Sequence, residues 1–155
     1  MSAKKTSQIL NLKQNKSKIA IIDIGSNSVR LVVFADLGKY PYPLFNERVN
    51  CRLGEKLYED GKLSTRSMSK ALKALQRFIT IIKNMKVKHI IPVATAAVRN
   101  AKNNIEFILP AEKILSSKIR ILTKNQEAEL AALGLITNMP IKNGIIADLG
   151  GGSLE

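Results

Sequence analysis

The chain has 155 residues, 45% of them hydrophobic, which is enough for one core and too little for two full-sized domains. A single cysteine excludes an internal disulfide, and a single histidine argues against a histidine-based triad or a zinc centre. The net charge of +13 favours an anionic ligand or partner; 13 minus the five lysines of residues 1–18 still leaves +8 on the rest.

Residues 1–17 are predicted to form a disordered basic tail, because Lys, Ser, Asn and Gln leave them too little hydrophobicity to pack. The tail has no continuous apolar segment that could serve as a signal peptide. No run elsewhere approaches the length of a membrane span. We therefore expect a cytoplasmic protein that has no membrane association.

Order begins with IAIIDIGSNSVRL, residues 19–31, which predicts a strand, a tight polar turn and a second strand. Apolar residues run into Asp23, and Gly25 lets the backbone approach a ligand where a Cβ would obstruct it. Arg30 closes the turn. Donors suited to an anion come from the three small residues between: Ser26, Asn27 and Ser28. Taken alone, this turn is also what an ordinary hairpin requires.

A turn at 36–43, a third antiparallel strand at 44–53 and a polar connector at 54–64 are predicted next. Apolar positions in 65–85 then recur every three or four residues, which indicates a long amphipathic helix capped by Ser64. Its other face is basic. Between Asp60 and Glu106 there is no acidic residue, while ten lysines and arginines accumulate. This block is either a solvated face or a surface that attracts an anionic ligand.

The remaining pattern alternates: strand at 89–94, helix at 105–115, strand at 119–122, helix at 126–137 and strand at 144–148. A helix between strands implies a right-handed crossover, with the helix covering the sheet. The prediction is therefore an α/β fold in which an antiparallel three-strand meander is followed by parallel strands. His89, in the apolar entry to its strand, is interpreted as structural, and Cys51 as an idle thiol rather than a nucleophile.

Three further segments carry chemistry. The last residues, GIIADLGGGSLE, repeat the first motif: an apolar run ends in Asp148, then three glycines and a serine follow. Two such turns in one protein predict that a single phosphate chain is bound from two sides. After the strand at 89–94, Thr95 offers a hydroxyl and Arg99 a planar fork suited to phosphate oxygens. In the helix at 126–137, Glu129 fits the helix dipole, whereas Glu127 is the candidate functional carboxylate.

Five motifs in order, DIGSNSVRL, RLGEKLYEDGKLS, VATAAVRNA, QEAEL and DLGGGSLE, resemble the exopolyphosphatase and guanosine pentaphosphate phosphohydrolase family, of the actin, sugar kinase and heat-shock chaperone superfamily. The resemblance implies a ribonuclease H-like, actin-type ATPase lobe: a mixed five-stranded sheet flanked by helices. It implies a second, similar lobe, with phosphates held in the cleft between the two. Residues 18–124 would be the first lobe. Residues 125–155 would be the interlobe helix and the first strand and phosphate loop of an incomplete second lobe.

The resemblance also implies roles for individual residues. Glu127 would be the general base, although Asn125 and Gln126 stand where the family usually has a glycine and a glutamate. Phosphate-binding residues would be Gly25, Ser26, Asn27, Ser28, Arg30, Thr95, Arg99, Gly150, Gly151, Gly152 and Ser153. The residues associated with Mg²⁺ would be Asp23, Asp148 and Glu155.

The expected activity is hydrolysis of terminal phosphoanhydride bonds in inorganic polyphosphate or guanosine pentaphosphate; the latter would connect the protein to the stringent response. This chemistry requires in-line attack by water, a carboxylate that orients or deprotonates the water, and cations and N–H donors around the transferred group. We expect the 155 residues to be an N-terminal fragment that folds but turns over slowly or not at all, with mobile residues from Gly150 onward. A homodimer of the full-length protein is one expected assembly.

Two alternatives use the same observations. A kinase or ATPase of the same superfamily would use identical loops and transfer the phosphoryl group to another acceptor. A nonenzymatic basic module would bind nucleic acid, but three Tyr, four Phe and no Trp form no aromatic cluster of the kind that binds RNA. Nucleic acid is therefore not the expected partner.

Overall fold

The structure of the protein is a computed structural model that describes residues 17–36, 38, 41–138 and 144–154. The predicted tail, apart from Ser17, and Glu155 lie outside the described residues. The strands are β1 (Ile19–Ile24), β2 (Ser28–Phe34), β3 (Pro43–Asn50), β4 (His89–Ala94) and β5 (Arg120–Ile121). The helices are α1 (Leu57–Asp60), α2 (Thr65–Asn84), α3 (Ala96–Asn100), α4 (Asn104–Leu115) and α5 (Lys124–Asn138).

The strands form one five-stranded sheet in the order β3-β2-β1-β4-β5. β1, β2 and β3 follow one another both in the chain and in the sheet, and they form an antiparallel meander. β4 pairs parallel with β1 and β5 parallel with β4, and each parallel strand is reached through helices. The predicted mixed sheet, with its meander, parallel strands and flanking helices, is confirmed.

The core lies between one face of the sheet and α2, which packs on β2 and α4. Ser64 caps α2 as predicted: its hydroxyl accepts a hydrogen bond from the Ser67 N–H at 3.1 Å. The side chains of Phe78 in α2 and Phe107 in α4 are completely buried. Because side chains alternate along a strand, Asp23 lies on the opposite face of β1 from Ile22 and Ile24, which are part of the core.

The predicted strand at 144–148 is not present, and this prediction was wrong. The pairing described near it is an isolated antiparallel bridge between Leu149 and Leu154. An apolar run becomes a strand only where another strand accepts its hydrogen bonds. Among the described residues the sheet ends at β5, which is two residues long and does not reach this segment.

No helix in the described part of the chain has the length and hydropathy needed to span a membrane.

Candidate active site

The turn between β1 and β2 is held in place by backbone hydrogen bonds from residues 51–54. The N–H groups of Cys51 and Arg52 donate to the Asn27 carbonyl at 2.9 and 2.8 Å, and the Gly54 N–H donates to the Ser26 carbonyl at 2.9 Å. A Cβ added to Gly54 would lie 3.2 Å from the Ser26 Cβ, so glycine allows this close approach. From the sequence, residues 51–54 were predicted as the end of a strand and the start of a connector, with RLGE part of a family motif but with no contact to the first turn. The glycine in RLGE, Gly54, was the sequence feature that could have indicated this close approach.

The glycine turn near residue 150 lies directly on the first turn. A Cβ added to Gly152 would lie 2.6 Å from the Ser26 Oγ, and one added to Gly151 would lie 3.1 Å from the Asn27 Cβ. The Gly150 N–H donates to the Ser153 carbonyl at 2.9 Å, which closes the turn. The Tyr58 hydroxyl donates to the Gly152 carbonyl at 3.3 Å. The two donor-rich turns that the sequence singled out are therefore neighbours.

Arg99 and Glu127 form an ion pair close to the same end of the sheet. The Thr95 N–H donates to the Ile24 carbonyl at the end of β1, and α3 then carries Arg99. The Arg99 Nη1 donates to the Glu127 Oε2 at 2.7 Å and to the Leu122 carbonyl at 2.9 Å. The two side chains are only 15% and 16% exposed. Within the described residues, the buried Nε and Nη2 of Arg99 have no hydrogen-bond partner.

Unpaired buried donors are costly, so they indicate a missing acceptor. The guanidinium fork matches the oxygens of a phosphate or carboxylate. Arg99 therefore has one nitrogen fixed by the protein and two available for an anionic ligand.

Asp23 is close enough to Glu127 to be affected by its charge. Loss of solvent, followed by the charge of Glu127, raises the pKa of the Asp23 carboxyl, while Arg30 and Arg48 lower it by a smaller amount. Arg30 is its partner in the β1–β2 register. Asp23 is nevertheless exposed to solvent, and its carboxylate provides hard oxygen ligands for a cation.

Several predicted residues have other contacts or lie less centrally. The buried Ser28 hydroxyl accepts from the Arg48 Nε at 2.7 Å, and the exposed Arg30 donates to the Asn46 Oδ1 at 2.9 Å. Asp148 is exposed and lines a crevice against α5 with Ala128. Among the described residues no group of three or more His, Cys, Asp or Glu could hold a metal ion. The third predicted metal residue, Glu155, lies outside the described part of the chain.

Burial raises the pKa of the Cys51 thiol, which opposes formation of the reactive thiolate. The thiol donates to the Val49 carbonyl at 3.4 Å. His89, at the start of β4, is half-buried. Cys51 contacts the β1–β2 turn through its backbone, since its N–H donates to the Asn27 carbonyl, whereas its thiol bonds to Val49.

Asp23→Asn is expected to stabilise the chain at about pH 7 in buffer containing EDTA, and to have little effect at about pH 3. A carboxyl group whose pKa is raised on folding makes the folded state bind more protons than the unfolded state. Its destabilising contribution is therefore absent below its ordinary value of 3.8 and grows as pH rises through the raised value. Urea unfolding at both pH values measures this, with the exposed Asp60→Asn as control. A loss of stability at neutral pH in Asp23→Asn would contradict the expected sign.

Comparisons with known proteins give a family match, curated relatives and similar solved structures. Residues 31–155 match the Ppx/GppA phosphatase family. The chain is 30% identical over 141 residues to Exopolyphosphatase 1 of Mycobacterium tuberculosis, covering 89% of this chain and 41% of that protein. The chain thus spans less than half the length of this curated relative.

Two solved structures are similar. One is an exopolyphosphatase from Cytophaga hutchinsonii, with a TM-score of 0.82 and 29% identity, covering 88% of this chain and 45% of that one. The other is the Aquifex aeolicus member of the Ppx/GppA family, with a TM-score of 0.76 and 28% identity over 89% of this chain and 45% of that one. The family match over most of the chain, together with the fold and the order of the motifs, shows that this protein belongs to the Ppx/GppA phosphatase family.

Proposed function

We propose that this chain holds the terminal phosphate of inorganic polyphosphate between its two turns and takes part in hydrolysis of the terminal phosphoanhydride bond. The observation that carries the proposal is Arg99, whose buried Nε and Nη2 have no partner within the described residues while its Nη1 is fixed by Glu127. Relatives named exopolyphosphatase support polyphosphate as the substrate. Guanosine pentaphosphate, which presents the same terminal anhydride, is the second substrate to test.

Each residue has a distinct task in this proposal. Arg99 binds oxygens of the transferred phosphoryl group and stabilises the charge that develops on them. Glu127 orients the attacking water and accepts its proton, and the bond from Arg99 fixes the position of its carboxylate. The turns at 25–28 and 150–153 supply N–H and hydroxyl donors from two sides. Together they hold the phosphate in line with the water, which is most of what phosphoryl transfer requires.

The donor set fits Mg²⁺, although the described residues contain no dedicated metal cage. Mg²⁺ is usually held by one or two carboxylates, with water and substrate phosphates completing its octahedron. Asp23 and Asp148 are the residues that would hold it. Bound there, the ion would neutralise charge on the phosphate oxygens. The raised pKa of Asp23 is consistent with a site where a nearby cation is favourable.

A phosphate-release assay with polyphosphate and with guanosine pentaphosphate, each with Mg²⁺ or with EDTA, tests the proposal. We expect slow release that depends on Mg²⁺ and is greater with polyphosphate. A parallel titration with duplex nucleic acid addresses the nonenzymatic alternative. Tight duplex binding without phosphate release from either substrate would overturn the proposal.

Gly152→Ala is expected to weaken polyphosphate binding, because the added Cβ would lie 2.6 Å from the Ser26 Oγ and 3.1 Å from the Ser26 Cβ. Ser26 is only 7% exposed and has little room to move, so the two turns must separate. Binding of fluorescently labelled polyphosphate and phosphate release are the measurements.

Gly150→Ala is the matched control, since its added Cβ would meet nothing closer than 3.5 Å. It changes the same turn by the same group without forcing the turns apart. Equal binding by the two variants would show that the contact between the turns is not needed to hold the ligand.

A further inference from the structure

A cavity with a basic lining lies beside the paired turns, residues 25–28 and 150–153. Its lining comes from the end of β3, the segment that follows, and the first two turns of α2: Asn50, Cys51, Arg52, Glu55, Arg66, Ser67 and Lys70. Three cationic side chains and one carboxylate line it. We refer to these seven residues as the basic pocket.

The charges of the basic pocket are poorly compensated by the protein. Arg66 and Lys70 are four residues apart on one face of α2, where like charges repel. Arg66 also lies in the first turn of α2, where the partial positive charge of the helix N-terminus disfavours cations and there is no acidic residue. Neither Arg66 nor Lys70 has an ion-pair partner in the described parts of the chain. Arg52 reaches Glu55 only at 3.8 Å, with both side chains largely exposed.

The basic pocket is joined to the first turn by a single segment of backbone. Arg52 has a φ of 54°, a left-handed conformation that is unusual for a residue with a Cβ. The hydrogen bond from its N–H to the Asn27 carbonyl, at 2.8 Å, holds it there. The same carbonyl accepts from Cys51, another residue of the pocket.

We propose that the basic pocket binds inner phosphates of a polyphosphate chain whose terminal phosphate lies at the paired turns. The inference rests on the proposed function. A linear polyanion with one charge on each phosphate is suited to cations at successive positions along its path. Arg52 and Arg66 present planar forks for phosphate oxygens, and Lys70 adds a point charge. The pocket would thus favour long chains over short ones, because a long chain has enough phosphates to occupy the turns and the pocket together.

The Arg66→Gln/Lys70→Gln double variant tests this with binding as the readout. Anisotropy of end-labelled long-chain polyphosphate should show affinity reduced about tenfold or more, the loss expected for charge-assisted hydrogen bonds. Competition by unlabelled tripolyphosphate should change much less, since it presents only three phosphates and these would be held mainly at the turns. Lys83→Gln/Lys88→Gln removes the same charge from the last turn of α2 and the segment that follows it, and should bind like the unchanged chain.

Unchanged affinity for the long chain in Arg66→Gln/Lys70→Gln would overturn the proposal. An equal loss in the Lys83→Gln/Lys88→Gln control would also overturn it, because the effect would then be net charge alone. Duplex RNA that displaces the long chain at a lower phosphate concentration than polyphosphate itself would assign the pocket to nucleic acid instead. Phosphate release is measured in parallel. If no phosphate is released while binding still depends on chain length, the proposed function is refuted but the proposed role of the basic pocket is not.

Discussion

Glu127→Gln is expected to release phosphate from polyphosphate about 10²- to 10⁴-fold more slowly than the unchanged chain, the range that a positioned general base contributes. Glutamine keeps the size of the side chain, and its amide oxygen can still accept the hydrogen bond from the Arg99 Nη1. What it cannot do is take a proton from water. Polyphosphate binding should therefore persist while turnover falls, which separates catalysis from binding.

Glu129→Gln is the matched control for this measurement. Glu129 is exposed, lies two residues further along α5 and makes no described ion pair. Release is best followed over long incubations at excess protein, because slow turnover is expected. If Glu127→Gln and Glu129→Gln release phosphate at the same rate, Glu127 is not the base.

Phe78→Ala is expected to lower the free energy of unfolding by about 3–5 kcal/mol, the usual cost of removing a fully buried aromatic side chain. Phe78 has no exposed surface and belongs to the core between α2 and the sheet. The surrounding side chains come from different elements and cannot all close the cavity. Urea denaturation, monitored by circular dichroism, measures the loss. The variant is purified at low temperature to keep it folded.

Phe45→Ala is the control, because Phe45 in β3 is only partly buried against the core. It should cost distinctly less, since less apolar surface is removed from contact. A Phe78→Ala variant that is no less stable than Phe45→Ala would mean that α2 does not pack on the sheet as described.

Local periodicity was sufficient to predict most of the elements. The three- and four-residue spacing in α2, with a serine cap before it, fixed its start at Thr65 and placed its end within one residue of Asn84. The short apolar run at β4 was predicted with its observed bounds, His89–Ala94. Two short helices, α1 and α3, were not predicted, because four or five residues are too few to show a period.

The candidate site was predicted as motifs and not as contacts. By itself the sequence determined which residues carry suitable chemistry: two donor-rich turns, an arginine and a glutamate in an α/β lobe with an unusual excess of positive charge. Only the tertiary structure decided that Gly152 lies against Ser26 and receives a bond from Tyr58, 94 residues earlier in the chain. It also decided that Arg99 faces Glu127 while two of its donors find no partner in the described part of the chain, and that residues 144–148 are not a strand. The physical reason is that periodicity records which side of an element is buried, whereas contacts between distant segments depend on how the whole sheet and its helices pack.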